Sequence, residues 1–144
     1  MSTSEDPTMQ MGAAMIDGEE LMRRATALQP VLRARAAAAA QARCIPEETI
    51  ADLHQSGLFR TLQPERYGGY QQDPRVFFKI LTALGQGCPS TAWCMGVIGA
   101  HAWQLALFDP QAQEDVWGED TSVLISSSYM PVGKVTPVEG GYRL

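Results

Sequence analysis

His101 is the side chain in this sequence best suited to moving a proton, and its setting is unusual. It stands within Ala92–Phe108, AWCMGVIGAHAWQLALF, where the spacing predicts a helix that is apolar on nearly every side. The rows Cys94–Ile98–His101–Leu105–Phe108 and Trp93–Gly96–Ala100–Trp103–Leu107 both follow three-four spacing. No continuous polar face remains, so the whole helix is expected to be buried. An imidazole there has two readings. It is a core group satisfied by one neighbour, or a base or hydrogen-bonding group that faces a cavity. Burial disfavours an imidazolium, so a ring used as a base would be neutral and able to take a proton. Gly96 and Gly99 permit close approach of another body, either a ligand or a second helix, and periodicity does not choose between them.

Ser126-Ser127-Ser128, followed by Tyr129, is the second group with chemical potential. If Ser122–Tyr129 is a strand, Ser127 and Tyr129 share one face, and Ser126 and Ser128 share the other. Hydroxyls and backbone groups so placed can hydrogen-bond a planar heterocycle; the competing reading is a solvated loop. No GxSxG surrounds them, and no acid is placed to complete a triad. Trp93, Trp103 and Trp117 fit core positions as readily as a cofactor platform. Gly68-Gly69 and Gly140-Gly141 lie outside the phosphate-binding patterns and read as turns. Cys44, Cys88 and Cys94 form no CxxC, and with His54 and His101 they show no metal-ligand spacing. No metal site is expected, and the thiols are expected to be reduced.

The elements that must position these groups follow from local signals. Residues 1–16 read as a frayed tail. From about Asp17 to Arg43 the Ala/Leu/Arg-rich stretch predicts a long helix, kinked or broken near Pro30. Pro46-Glu47-Glu48 starts a second helix that stops at Ser56-Gly57. Leu58–Pro64 is a connector. Asp73-Pro74 starts a third helix to about Gln86, Cys88-Pro89-Ser90 introduces the His101 helix, and Asp109-Pro110 starts a fifth to about Trp117. Beyond Gly118 the pattern turns to β: Ser122–Tyr129, Val132–Val138 and Gly141–Leu144 read as short strands. The expected organisation is a tail (1–16), a helical domain (17–118) and the beginning of a β domain (119–144). The net charge of −5 argues against a nucleic-acid or anionic-membrane binder, and the apolar run from Ala92 is short for a membrane span. A soluble, cytoplasmic protein is expected.

Taken in order, several short motifs resemble the N-terminal part of the oxygenase components of two-component, flavin-dependent phenol monooxygenases. They are Ile45-Pro46-Glu47-Glu48-Thr49, Gly57-Leu58-Phe59, Leu62-Gln63-Pro64 with Tyr67-Gly68-Gly69, and Ser90-Thr91-Ala92-Trp93. His101-Ala102-Trp103 with Leu105–Phe108, Val116–Asp120 and Ile125–Tyr129 complete the set. The likeness spans about Asp17 to Leu144 and is greatest to members acting on secosteroids.

The resemblance implies a mainly α chain: the N-terminal helical domain of the acyl-CoA dehydrogenase fold, followed by the first strands of the middle β domain. It implies reduced FAD or FMN delivered by a separate flavin reductase, oxygen activated on that flavin, and hydroxylation of a phenolic substrate ortho to its hydroxyl, as in aromatic compound degradation. It also implies a homotetramer. By position, His101 corresponds to the histidine that meets the phenol, Trp93 to a residue beside the flavin, and Ser127, Ser128 and Tyr129 to a strand against the isoalloxazine. Family chains are more than twice as long, so the chain reads as a truncated form, expected by itself to be inactive and to bind flavin weakly. Two other readings stand beside this one: an acyl-CoA dehydrogenase-like flavoprotein fragment, and a non-catalytic helical interaction domain.

Overall fold

The computed structural model describes residues 16–128, 130 and 132–143; the expected tail, apart from Ile16, and Tyr129 lie outside the described residues. Five helices come first: α1 (Gly18–Ala42), α2 (Glu47–Gln55), α3 (Pro74–Gly87), α4 (Pro89–Leu105) and α5 (Pro110–Trp117). Two strands follow, β1 (Thr136–Val138) and β2 (Gly141–Arg143).

The helix starts follow the expected local chemistry. Asp17, Asp73 and Asp109 each cap a first turn, accepting from the backbone N–H of Glu20, Arg75 and Gln111. Proline occupies the first turn of α3, α4 and α5, where its missing N–H leaves no broken bond. Pro30 does not break the helix: α1 runs from Gly18 to Ala42 through it. The reason is tertiary. On either side of Pro30, Gln29 donates to the Ala83 carbonyl and Arg33 to the Gln86 carbonyl, both at 2.9 Å. Ala25 and Leu32 are buried on the same helix.

α3 lies between α1 and α4. Leu21, Ala25 and Leu32 of α1, Phe77, Ile80 and Leu84 of α3, and Met95 of α4 form the main core with Leu53 and Leu58. The two glycines ahead of His101 face α3. A Cβ on Gly99 would meet Phe77 Cε2 at 2.8 Å, and one on Gly96 would meet Leu81 Cδ1 at 3.1 Å. Helix packing therefore accounts for Gly99, while Gly96 also borders the open groove between the two helices.

A second, smaller core is built from Tyr67, Ala102, Leu105 and Trp117, with Ile125 packed on it. The connector before α3 holds two 3-10 turns, Leu58–Arg60 and Glu65–Tyr67, and folds back on itself. Tyr70, Gln71 and Gln72 donate to the carbonyls of Arg60, Gln63 and Thr61.

Two expectations are corrected. Residues 123–128 form no strand; they run as irregular chain over the second core. Their β-branched and hydroxyl-rich composition supplies strand propensity, but among the described residues no strand pairs with them, and propensity without a partner makes no sheet. Of the later strands, β1 is shorter than the expected Val132–Val138; it pairs antiparallel with β2, with Thr136 opposite Arg143 and Val138 opposite Gly141. Gly140 turns the hairpin at φ +80°, and both strands are exposed throughout.

α4 is also not buried all round. His101, Met95 and Gly99 are enclosed, whereas Trp93 is 75% exposed and Trp103 46%. Two faces of the helix are covered, by α3 and by the segment after α5, and the third is open. Hydrophobicity counted along the sequence predicts a preference for burial and is blind to how many neighbours arrive to satisfy it.

Candidate functional site

α4 delivers His101 into the joint between the two cores, where the residue is only 3% exposed. Its two ring nitrogens have partners on opposite sides. Nε2 lies 2.9 Å from the Ser127 hydroxyl oxygen. Nδ1 lies 2.7 Å from Oε1 of Gln104, one turn further along the same helix. Two of the residues singled out in the sequence, His101 and Ser127, are thus brought into direct contact.

The segment carrying Ser127 is irregular, so its position must come from tethers. Gln63, itself buried, donates from Nε2 to the carbonyls of Tyr67 at 3.1 Å and Thr121 at 2.9 Å. The Trp117 indole N–H donates to the Val123 carbonyl at 3.3 Å, and Ile125 packs on the second core. These three anchors lead the chain past α4 and set Ser127 over His101.

The second core has its own polar frame. Buried Gln113 donates to the carbonyls of Ala106 and Phe108 and accepts from Arg66, which fixes α5 against the end of α4. The Tyr67 hydroxyl donates to Glu114 at 3.2 Å. Burial, with that carboxylate beside it, pushes the Tyr67 phenol up from its ordinary pKa.

Trp93 does not join the His101–Ser127 pair. It lies eight residues before His101, about 12 Å along the helix axis, on the open side of α4. There α3 and α4 form a groove of about 790 Å³ lined by Phe77, Phe78, Leu81, Trp93, Val97 and Trp103 among others. Gln104 also lines this groove, so one residue borders the groove and touches His101. Ser128 is exposed beside Ser127, and Tyr129 is outside the described residues.

The sequence reading missed Gln63, Gln104 and Gln113. The available signal was a glutamine within an apolar stretch, as in Leu62-Gln63-Pro64 and Trp103-Gln104-Leu105. Such a side chain must find partners if it is buried. Among the described residues, no buried side-chain nitrogen or oxygen is left unpaired.

The residues present fit a flavin in a limited way. An exposed indole on an apolar groove suits a planar ring system, and the exposed hydroxyls of Ser126 and Ser128 can hydrogen-bond one. Among the described residues no cluster of three or more metal-ligating side chains occurs, and no helix is long and apolar enough to cross a membrane.

Residues 18–121 match the family described as acyl-CoA dehydrogenase, N-terminal domain. The chain is 50% identical over 123 residues to the flavin-dependent monooxygenase oxygenase subunit HsaA of Rhodococcus jostii, covering 85% of this chain and 32% of that protein. It is 34% identical over 129 residues to the oxygenase component of p-hydroxyphenylacetate 3-hydroxylase of Acinetobacter baumannii, covering 90% and 31%. The crystal structure of the HsaA monooxygenase from M. tuberculosis superposes with a TM-score of 0.83 at 45% identity, covering 88% of this chain and 35% of that one. The chain therefore spans about a third of the length of these relatives.

Proposed function

The chain belongs to the acyl-CoA dehydrogenase N-terminal domain family, and on that footing we propose that it builds the substrate-hydroxyl side of the pocket in a flavin-dependent aromatic monooxygenase. The observation that carries this reading is the contact between buried His101 and the exposed Ser127, whose hydroxyl reaches Nε2 from the solvent side. Support for the reaction class comes from relatives named as flavin-dependent oxygenase subunits and phenol-type hydroxylases.

His101 does the proton work. A phenol entering beside Ser127 places its hydroxyl within reach of His101 Nε2. The lone pair there accepts the phenolic proton, leaving a phenolate and an imidazolium. Negative charge moved from oxygen into the ring raises electron density at the ortho carbon, the position to be hydroxylated. The Ser127 hydroxyl, released from Nε2, turns to donate to the phenolate oxygen and holds the ring's orientation. In this reading Ser127 serves the substrate side of the site, whereas the family resemblance implies a place against the cofactor.

Reduced flavin, FAD or FMN, supplies the electrons that activate oxygen when bound. Trp93, Ser128 and Tyr129 are the residues of this chain that would meet it, with Trp93 offering a flat apolar surface. The substrate in this reading is a phenol, a class supported by the relative named p-hydroxyphenylacetate 3-hydroxylase, and the resemblance carried by the sequence motifs makes a secosteroid phenol the nearest case. The reading includes a separate flavin reductase as partner, a homotetrameric oxygenase and a cytoplasmic location. The designations "oxygenase subunit" and "oxygenase component" among the relatives support the two-component arrangement.

The test is coupled turnover of the full-length protein bearing this sequence, supplied with reduced flavin and a panel of phenols. His101→Gln is expected to lower the rate of ortho-hydroxylation by roughly 10²–10⁴-fold, while reduced flavin is still consumed. Hydroxylation at the original rate in His101→Gln, or no hydroxylated product from any phenol with the unaltered protein, overturns the reading.

A further inference from the structure

We propose that Gln104 is a positioning residue that sets the tautomer of His101 and so makes Nε2 the proton-accepting atom. The inference rests on the reading of His101 as a base given above, but its core is a statement about hydrogen positions that can be tested without turnover.

The argument starts from what each atom can do. Gln104 Oε1 is an amide carbonyl oxygen and only accepts hydrogen bonds. At 2.7 Å from Nδ1 it therefore requires the proton to sit on Nδ1. A neutral imidazole carries one N–H, so Nε2 then holds the lone pair. Ser127, at 2.9 Å, can satisfy that lone pair only by donating its hydroxyl hydrogen. With the opposite tautomer, Nε2–H would point at Ser127 and at any phenol that replaced it, and no proton could be accepted there.

The choice of glutamine matters. Carboxylates often hold the rear nitrogen of a working histidine, but a negative charge also favours the imidazolium. An amide fixes the same tautomer and brings no net charge beside the ring. The helix supplies the geometry: His101 and Gln104 are separated by three residues on α4, one turn apart on the same face. Both stand on a regular element that α3 and α5 brace, which suits a contact whose function is angular precision.

The experiment is long-range ¹H–¹⁵N NMR of the histidine rings of this chain, with His54→Gln used to assign the two histidines. At a pH where His101 is neutral, Nδ1 is expected to be protonated and Nε2 unprotonated. Gln104→Met, similar in volume but without a strong acceptor, should lose that pattern, and Gln104→Glu should retain Nδ1–H. Protonated Nε2 in the unaltered chain overturns the proposal, as does an unchanged Nδ1–H signal in a folded Gln104→Met. If Gln104→Met does not fold, the unaltered chain and Gln104→Glu decide the question by themselves.

In the full-length protein, Gln104→Met should lower kcat by roughly 10-fold or more with KM little changed, and Gln104→Glu should restore part of it at a pH high enough to keep the ring neutral. A protein that hydroxylates no phenol yet shows Nδ1–H in His101 removes the function proposed above and still supports the role of Gln104. A protein that hydroxylates phenols with Nε2–H does the reverse.

Discussion

Ser127 lies 2.9 Å from His101 although 26 positions separate them in the chain. The two arrive by different means. His101 is carried on a helix whose packing against α3 is enforced by the Gly99–Phe77 contact, whereas Ser127 follows a segment without regular structure. The contact is therefore only as well defined as the tethers at Gln63, Trp117 and Ile125.

Removing the first tether is expected to loosen the site before it unfolds the protein. Gln63→Leu strips the donor from the carbonyls of Tyr67 and Thr121. The expected cost is about 1–3 kcal/mol, the range for leaving a buried polar group unpaired. Urea denaturation checks the stability, and faster amide exchange around residues 121–127 checks the loosening. A variant with wild-type stability and exchange would show that Gln63 does not hold the segment.

Gly99→Ala tests the helix crossing. Its new Cβ would stand 2.8 Å from a Phe77 ring carbon in a filled interior, so α3 and α4 must move apart or the ring must shift. A loss of about 1–3 kcal/mol is expected. Phe77→Leu in the same background should recover part of it, and the double-mutant cycle measures the coupling.

Acid should destabilise the helix starts first. Side-chain bonds from Arg23, then Arg24, hold the Glu20 carboxyl at about 2, below its usual 4.5. Bonds from the Arg75 side chain and backbone hold Asp73 at about 2, below 3.8. For a lowered carboxylate, the stabilisation is complete above the unfolded value and disappears as pH falls through the folded one. Stability should thus decline between about pH 4.5 and pH 2. Both groups are at the surface, so added salt should shrink the effect. Glu20→Gln with Asp73→Asn should flatten the urea midpoint across that window; an unchanged slope would assign the loss to other carboxylates.

Flavin should bind this chain weakly by itself. Trp93 is 75% exposed and the α3–α4 groove is open to one side, while tight small-molecule sites enclose most of the ligand. Fluorescence titration with reduced or oxidised FAD and FMN should give no Kd at or below ~1 μM. Tighter binding would mean that the groove and the serine segment together already enclose the ring.

The helices were legible because their signals are local. Asp73-Pro74 and Asp109-Pro110 place a capping carboxylate and a donor-free first turn side by side, and Ser56-Gly57 supplies the φ +75° exit from α2. His101 stood out because an ionisable ring in an apolar helix requires a partner. The identities of its partners were not readable. Ser127 offers a hydroxyl in a stretch of strand propensity, and Gln104 is a single polar residue in an apolar pattern; neither spacing points to a ring nitrogen of His101.

Residue types and short spacings were enough to set the succession of helices, their caps, the apolar character of α4 and the chemical singularity of His101. These depend on interactions within a few residues, which a linear reading contains. Three-dimensional packing decided the rest: that α1 continues through Pro30, that Ser122–Ser128 forms no strand, that Trp93 faces an open groove while His101 is enclosed, and that Gln104 and Ser127 take the two ring nitrogens. Each of those outcomes turns on which neighbour arrives from elsewhere in the chain. Propensity states what a segment prefers when alone, and the contacts made on folding decide whether that preference is met.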